Sequence, residues 1–216
     1  MIADEINRAP AKVQSALLEA MQERQVTIAD ETYPLPKPFL VLATQNPIEQ
    51  EGTYPLPEAQ LDRFFFKLKV DYGTPEEEML VIQRMSSGEL PKLPQVLNAR
   101  LLSQLQDLVA EIHVADNIRR YIVDLVFATR KPQDFKISRL SGLIRVGASP
   151  RASINLERAA RLNALFQGRA YVIPQDVKDI AEDVLRHRII PSFEAEAENV
   201  STEEMVHEIL SAIAVP

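Results

Sequence analysis

Along the first seventy residues the apolar positions change period several times, and beyond them they keep a helical one. Met1, Ile2 and Ala3 form an apolar stub that ends on two adjacent acids, Asp4 and Glu5. Pro10 stands where a first helical turn tolerates proline. Val13, Ala16, Leu17, Ala20 and Met21 then keep helical spacing, which predicts an amphipathic helix over 10–24. Val26 and Ile28 alternate, Asp30 marks a turn, and Pro34, Pro36 and Pro38 exclude a central strand. Residues 25–37 therefore predict a short exposed hairpin. Residues 39–43 are an unbroken apolar run ending on Thr44, Gln45 and Asn46, the pattern of a buried parallel strand. A loop, a short helix and a further strand over about 64–70 complete this portion. Two strands and a stub are too few for a full α/β sheet.

The remaining pattern is a succession of capped helices. Thr74, Pro75 and Glu77 form a capping box, and Gly88 closes that helix. A proline-rich connection follows over about 88–97. Asn98 is placed to cap 99–112, with Leu101, Leu105, Leu108 and Ile112 on one face. Asp116 is placed to cap 117–130, whose inner face carries Ile118, Tyr121, Ile122, Leu125 and Val126. Ser149 and Pro150 open a helix through Gln167, closed by Gly168. Helices over 174–187 and 202–213 complete the set.

Composition narrows the function classes. The chain has 216 residues, no cysteine and a net charge of −7. Disulfides and thiolate metal sites are excluded, which fits a reducing cytoplasm. The acidic balance and the lack of a basic-aromatic stripe argue against nucleic acid as partner. No apolar run is long enough to cross a bilayer, and acids within three residues of Met1 do not suit a signal peptide. His113, His187 and His207 lie far apart and read as surface or capping residues rather than metal ligands.

The acid pair gains meaning from what accompanies it. "IADEINRAPAKVQSALLEAMQERQVTI", "VLATQNPIEQEGTYPLPEAQLDRFFFKL", "GASPRASINLERAARLNAL" and "YVIPQDVKDIAEDVLRHRI" occur in this order. Together they resemble the MoxR family of AAA+ ATPases, from the Walker B strand onward, over nearly the whole chain. The resemblance implies part of an AAA+ core at 1–72, with an incomplete parallel sheet and a β-hairpin insertion. A helical lid at 73–216 would follow. It implies ATP and Mg²⁺ as cofactors, with Asp4 in the metal shell and Glu5 on the attacking water. Asn46 would be the polar sensor at the strand end. Arg63 would be the arginine finger that reaches a neighbouring subunit, and Arg151 the second sensor at a lid helix. These are the parts phosphoryl transfer needs: a metal-holding acid, a water-positioning group and cations for developing charge. It further implies a homo-oligomeric ring, a hexamer, acting on a protein client, with a von Willebrand A-domain partner. The hairpin would face the pore or a partner.

Each residue also has a plainer reading. Asp4 and Glu5 would serve as turn acids, Asn46 as a turn residue before Pro47, Arg63 as the internal partner of Asp62 or Glu58, and Arg151 as a surface cation. The hairpin would then be an idle ribbon. None of the six glycines opens a P-loop and there is no Gly-Lys pair, so this stretch lacks a phosphate cradle. The expectation is the C-terminal part of an ATPase, incompetent by itself. The alternatives are a non-catalytic interaction module of the same ancestry and, disfavoured by charge, a nucleic-acid remodeller.

Overall fold

The structure is a computed structural model that describes residues 1–46, 52–88 and 93–216. Strand β1 (Ile2–Ala3) pairs in parallel with β4 (Leu42–Ala43), placing Ile2 opposite Leu42 and Ala3 opposite Ala43. Between them run a 3₁₀ turn (Ile6–Arg8), helix α1 (Ala11–Glu23) and a hairpin of β2 (Gln25–Ile28) with β3 (Glu31–Pro34). Helix α1 buries Gln14, Leu17, Leu18 and Ala20, so its inner face is rotated from the expected one and Val13 stays 56% exposed. The rotation has a polar cause. Gln14 Nε2 donates to the carbonyl oxygens of Ile6 at 3.2 Å and Tyr54 at 3.0 Å, which fixes both loops against the helix.

The hairpin forms where expected and is exposed. The run at 39–43 is parallel, as expected, but only Leu42–Ala43 is strand and it is not buried. Leu40 and Leu42 stay 66% and 56% exposed, because β4 has a single strand neighbour among the described residues. A small apolar cluster of Ile6, Leu17 and Leu56 lies on the other side, with Val41, Ala43 and Phe64 against it.

After α2 (Glu58–Leu61) the expected strand at 64–70 does not form. That segment finds its backbone partners in the helical part instead, as described below. The helical part comprises α3 (Pro75–Ser87), α4 (Ala99–Glu111), α5 (Asp116–Arg130), a 3₁₀ turn (Pro132–Phe135) and α6 (Leu140–Leu143). Strand β5 (Ile144–Val146), α7 (Pro150–Phe166), α8 (Pro174–Leu185), β6 (Ile190–Pro191), α9 (Phe193–Ala197) and α10 (Thr202–Ala212) follow. The expected caps at Thr74, Asn98 and Ser149 are all made. Asp116 differs: Ala115 is the N-cap and Asp116 lies in the first turn, where its charge favours the helix dipole. Part of the proline-rich connection, 89–92, lies outside the described residues, as does Pro47.

The large core belongs to this helical part. Leu125, Val126, Leu140, Leu156, Val177, Val184, Leu185, Met205 and Ile209 are fully buried within one cluster. All five residues expected on the inner face of α5 are there. One glycine is dictated by this packing. A Cβ on Gly147 would lie 2.5 Å from the Thr129 carbonyl oxygen. The chain can pass over the end of α5 only without a side chain. Thr129 Oγ1 accepts from Ala148 N–H at 2.9 Å there, and Arg130 Nε donates to Ala148 O at 2.6 Å. This contact sets the start of α7.

Candidate functional site

The acid pair sits where two parallel strands end together. Thr44 Oγ1 accepts from the Glu5 backbone N–H at 2.8 Å and donates to Asp4 Oδ1 at 2.5 Å. The ladder continues below, with Thr44 N–H on the Ala3 carbonyl at 3.0 Å, and beyond, with Ile6 N–H on the Thr44 carbonyl at 3.0 Å. Parallel pairing thus brings residues 4–5 and 44–46 to one edge. Asn7 Nδ2 donates to the Asn46 backbone oxygen at 3.5 Å. Ligands of open α/β sheets bind at such carboxyl strand ends.

Glu5 adopts φ 46°, ψ 54°. This left-handed conformation is uncommon outside glycine and asparagine and concentrates at functional sites. It turns successive acids apart. The Asp4 carboxylate is exposed beside Thr44, while Glu5 Oε2 lies 2.8 Å from Arg8 Nε. The two acids therefore have different neighbours, and Arg8 screens only one of them. The metal-binding atoms offered here are carboxylate, hydroxyl and amide oxygens, with Asp4 and Thr44 exposed. That suits Mg²⁺, which keeps waters and phosphate oxygens among its ligands and needs few from protein. Among the described residues no cluster of three or more metal-binding side chains exists, so a protein-only metal cage is not present there.

A second constellation joins the end of α2 to the helical part. Asp62 Oδ1 is 3.0 Å from Arg188 Nε, and Asp62 Oδ2 accepts from Ser149 Oγ at 2.8 Å and Arg151 at 3.2 Å. The carboxylate thus lies at the N-terminus of α7, whose dipole favours an anion. Burial pushes the Asp62 carboxyl up, but the bonds from Ser149 and Arg151 and the Arg188 charge outweigh this and hold it below its usual range. The anion partner expected for Arg151 is, in this structure, Asp62.

Arg63 was also open to a reading as an internal ion-pair partner of Asp62 or Glu58. That arrangement is absent. Asp62 is taken by Arg188 and Arg151, and Glu58 Oε1 lies 3.1 Å from Arg145. Arg63 is exposed at the edge of an open cleft of about 310 Å³ between α1 and α2, near Glu19 and Glu23. Among the described residues its guanidinium makes no ion pair.

Sequence reasoning missed the tripeptide Arg186-His187-Arg188. Arg186 donates to the Lys67 carbonyl at 2.9 Å and His187 Nε2 lies 3.2 Å from the Phe64 carbonyl. Arg188 donates to the carbonyls of Asp62 at 3.0 Å, Phe64 at 2.6 Å and Phe65 at 3.3 Å. Lys67 N–H completes the seam on Asp183 O at 3.0 Å. This explains the missing strand, since residues 62–67 hydrogen-bond to side chains at the end of α8 rather than to a sheet. His187 is buried at 8% exposure, a correction to its surface reading, whereas His113 and His207 are exposed as expected. The sequence signal was the basic cluster closing an apolar helix, where cations suit the dipole.

A parallel strand pair ending on acids, a hairpin insertion and an attached helical bundle are the parts of an AAA+ core and its lid. Family models agree: residues 1–66 match the ATPase family associated with various cellular activities (AAA), and residues 137–209 match the AAA lid domain. The chain is 51% identical, over its whole length, to "Chaperone MoxR1" of Mycobacterium tuberculosis and covers 57% of it. It is 44% identical to the uncharacterised protein YeaC of Bacillus subtilis, covering 65%, and 34% identical to "Protein MoxR" of Paracoccus denitrificans, covering 61%. A crystal structure of a candidate ATPase from Cytophaga hutchinsonii superposes with a TM-score of 0.95 at 48% identity, over all of this chain and 66% of that one. The chain belongs to the MoxR family of AAA+ ATPases. It spans about three-fifths of the length of the curated relatives it matches.

Proposed function

We propose that this chain supplies the hydrolytic half of a MoxR-type ATP site and the lid that closes over it, in a ring that uses ATP to remodel or mature a client protein. The observation that carries this reading is the single edge formed by Asp4, Glu5, Thr44 and Asn46. Its two acids have separate environments, as separate tasks require. Asp4, exposed and held by the Thr44 hydroxyl through one oxygen, would hold the Mg²⁺ shell. Glu5 would leave Arg8 to orient or deprotonate water, and Asn46 would report on the phosphate through its amide. Bound Mg·ATP would supply the charge and the phosphoryl group on which these residues act. Arg63, exposed and unpaired among the described residues, suits a finger that acts on the neighbouring subunit's nucleotide. Arg151 would exchange Asp62 for a phosphate oxygen when the lid closes. The core would run to about residue 72 and the lid from 73 onward, in a cytoplasmic, hexameric ring with a von Willebrand A-domain partner. That MoxR1 is described as a chaperone supports a protein client.

The 216-residue chain contains no P-loop, so by itself it should neither bind ATP tightly nor turn it over. The test is nucleotide affinity beside single-turnover hydrolysis, for this chain and for a P-loop-bearing full-length protein that contains it. In the latter, Glu5→Gln should bind ATP and fail to hydrolyse it, and Asp4→Ala should lose Mg²⁺-dependent turnover. Arg63→Ala should keep binding and lose on the order of 10³–10⁵ in rate. Normal turnover by Glu5→Gln, or robust ATPase activity from the short chain, overturns the reading.

A further inference from the structure

The lid contact on residues 62–65 is built more thoroughly than adhesion requires. Arg188 has a fully buried side chain, and a buried ion pair is weak evidence for stability in itself. Its guanidinium has five N–H donors, and all five are engaged. Nε meets Asp62 Oδ1, one terminal nitrogen meets the Asp62 and Phe64 carbonyls, and the other meets those of Phe65 and Val184. Four of these acceptors lie within four consecutive residues, and Arg63 is among those residues. The second Asp62 oxygen reaches the start of α7 through Ser149 and Arg151. The backbone carrying Arg63 is therefore held at once from the start of α7 and from the segment that follows α8, while Arg63 itself lines the cleft beside α1.

We propose that Arg188 and Asp62 are positioning residues that aim Arg63, so that the lid of one subunit sets the finger offered to the next. The planar five-donor fork fixes the carbonyl directions of residues 62, 64 and 65, and hence where Cα63 points its side chain. Asp62 divides its carboxylate between Arg188 and Arg151. A lid movement that draws Arg151 to another anion must change the load on Asp62, one residue from the finger. Lysine at 188 keeps the charge but offers three donors on a single atom, which cannot reproduce this pattern. This inference rests on the finger reading of Arg63 above.

The experiment is trans-complementation of ATPase activity in mixed rings of the P-loop-bearing full-length protein. Arg188→Lys alone should leave the KM for ATP within about twofold and lower kcat by roughly 10- to 100-fold, less than the 10³–10⁵ that a finger contributes. Mixed with Glu5→Gln subunits, which cannot hydrolyse but present an intact finger, the Arg188→Lys subunits should regain turnover. Arg63→Ala mixed with Glu5→Gln should do the same. A residue that merely supports its own subunit's fold would not be rescued by its neighbour. If Arg188→Lys does not fold, Asp62→Asn, which keeps the shape and the Ser149 contact, decides by the same mixture. Rescue of Arg63→Ala without rescue of Arg188→Lys or Asp62→Asn overturns the inference and leaves the finger assignment standing. Failure to rescue Arg63→Ala removes the finger reading and this inference with it.

Discussion

His187 presents Nε2 to the carbonyl oxygen of Phe64 at 3.2 Å, while its Nδ1 is buried with no hydrogen-bond partner among the described residues. A neutral ring that donates from Nε2 satisfies this contact. A protonated one would place a second N–H where there is no acceptor. Burial, reinforced by the positive charge of Arg188, lowers the His187 pKa from 6.5 to about 4.

The seam between core and lid should therefore be acid-sensitive. Because the folded-state pKa is depressed, the unfolded chain takes up the proton first as pH falls. The contribution is fully present above about pH 6.5 and is lost progressively down to about pH 4, on the order of 3 kcal/mol in all. Urea unfolding of the 216-residue chain between pH 7 and pH 4.5 should show this slope, and His187→Gln should flatten it. The Asp62 carboxyl, held low, contributes in the same direction but mainly at more acid pH. An unchanged slope in His187→Gln would disprove the assignment.

Gly147→Ala should destabilise the lid. The added methyl carbon would meet the Thr129 backbone oxygen at 2.5 Å and its carbon at 2.6 Å, and neither can move without shifting α5. Overpacking of this kind costs about 1–3 kcal/mol, which for a chain of this size lowers Tm by several degrees. Circular dichroism melting is sufficient to check it. An unaltered melt would mean that the turn into α7 is looser than its hydrogen bonds imply.

Two apolar clusters of unequal size should unfold unequally. Leu125→Ala, at a fully buried site in the large cluster, should cost about 2–5 kcal/mol. Leu17→Ala, in the cluster of Ile6, Leu17 and Leu56, should cost distinctly less because its surroundings are more open. Native-state hydrogen exchange should show slower amides in α5, α7 and α8 than in residues 1–46. Stronger protection in the N-terminal portion would contradict this.

Thr44→Val tests the edge on which the candidate site stands. The substitution keeps the branched shape and removes the hydroxyl that joins the Glu5 amide to the Asp4 carboxylate. Stability should fall by about 1 kcal/mol. In the P-loop-bearing protein, hydrolysis should fall more than ATP affinity, because the loss falls on the orientation of the acids. Equal losses in both would show that Thr44 serves binding alone.

The sequence by itself determined much of what depends on local period and capping, the cap at Asp116 and the inner face of α1 excepted. The inner face of α5, the caps at Thr74, Asn98 and Ser149 and the exposed hairpin all follow from residues near in the chain. The order of its motifs also determined the family. Tertiary structure alone decided three things, each a competition for partners. Residues 64–70 satisfy strand propensity on paper, yet the donors of Arg186, His187 and Arg188 capture the carbonyls of Phe64, Phe65 and Lys67 from more than a hundred positions away. Asp62 could pair with Arg63 beside it, but Arg188, Arg151 and Ser149 converge on it in space and leave Arg63 facing outward. The rotation of α1 was set by a buried glutamine that binds two loop carbonyls, a polar demand that an apolar pattern cannot display. In each case the deciding acceptor is a backbone oxygen or a carboxylate whose position depends on the whole fold, and periodicity carries no record of it.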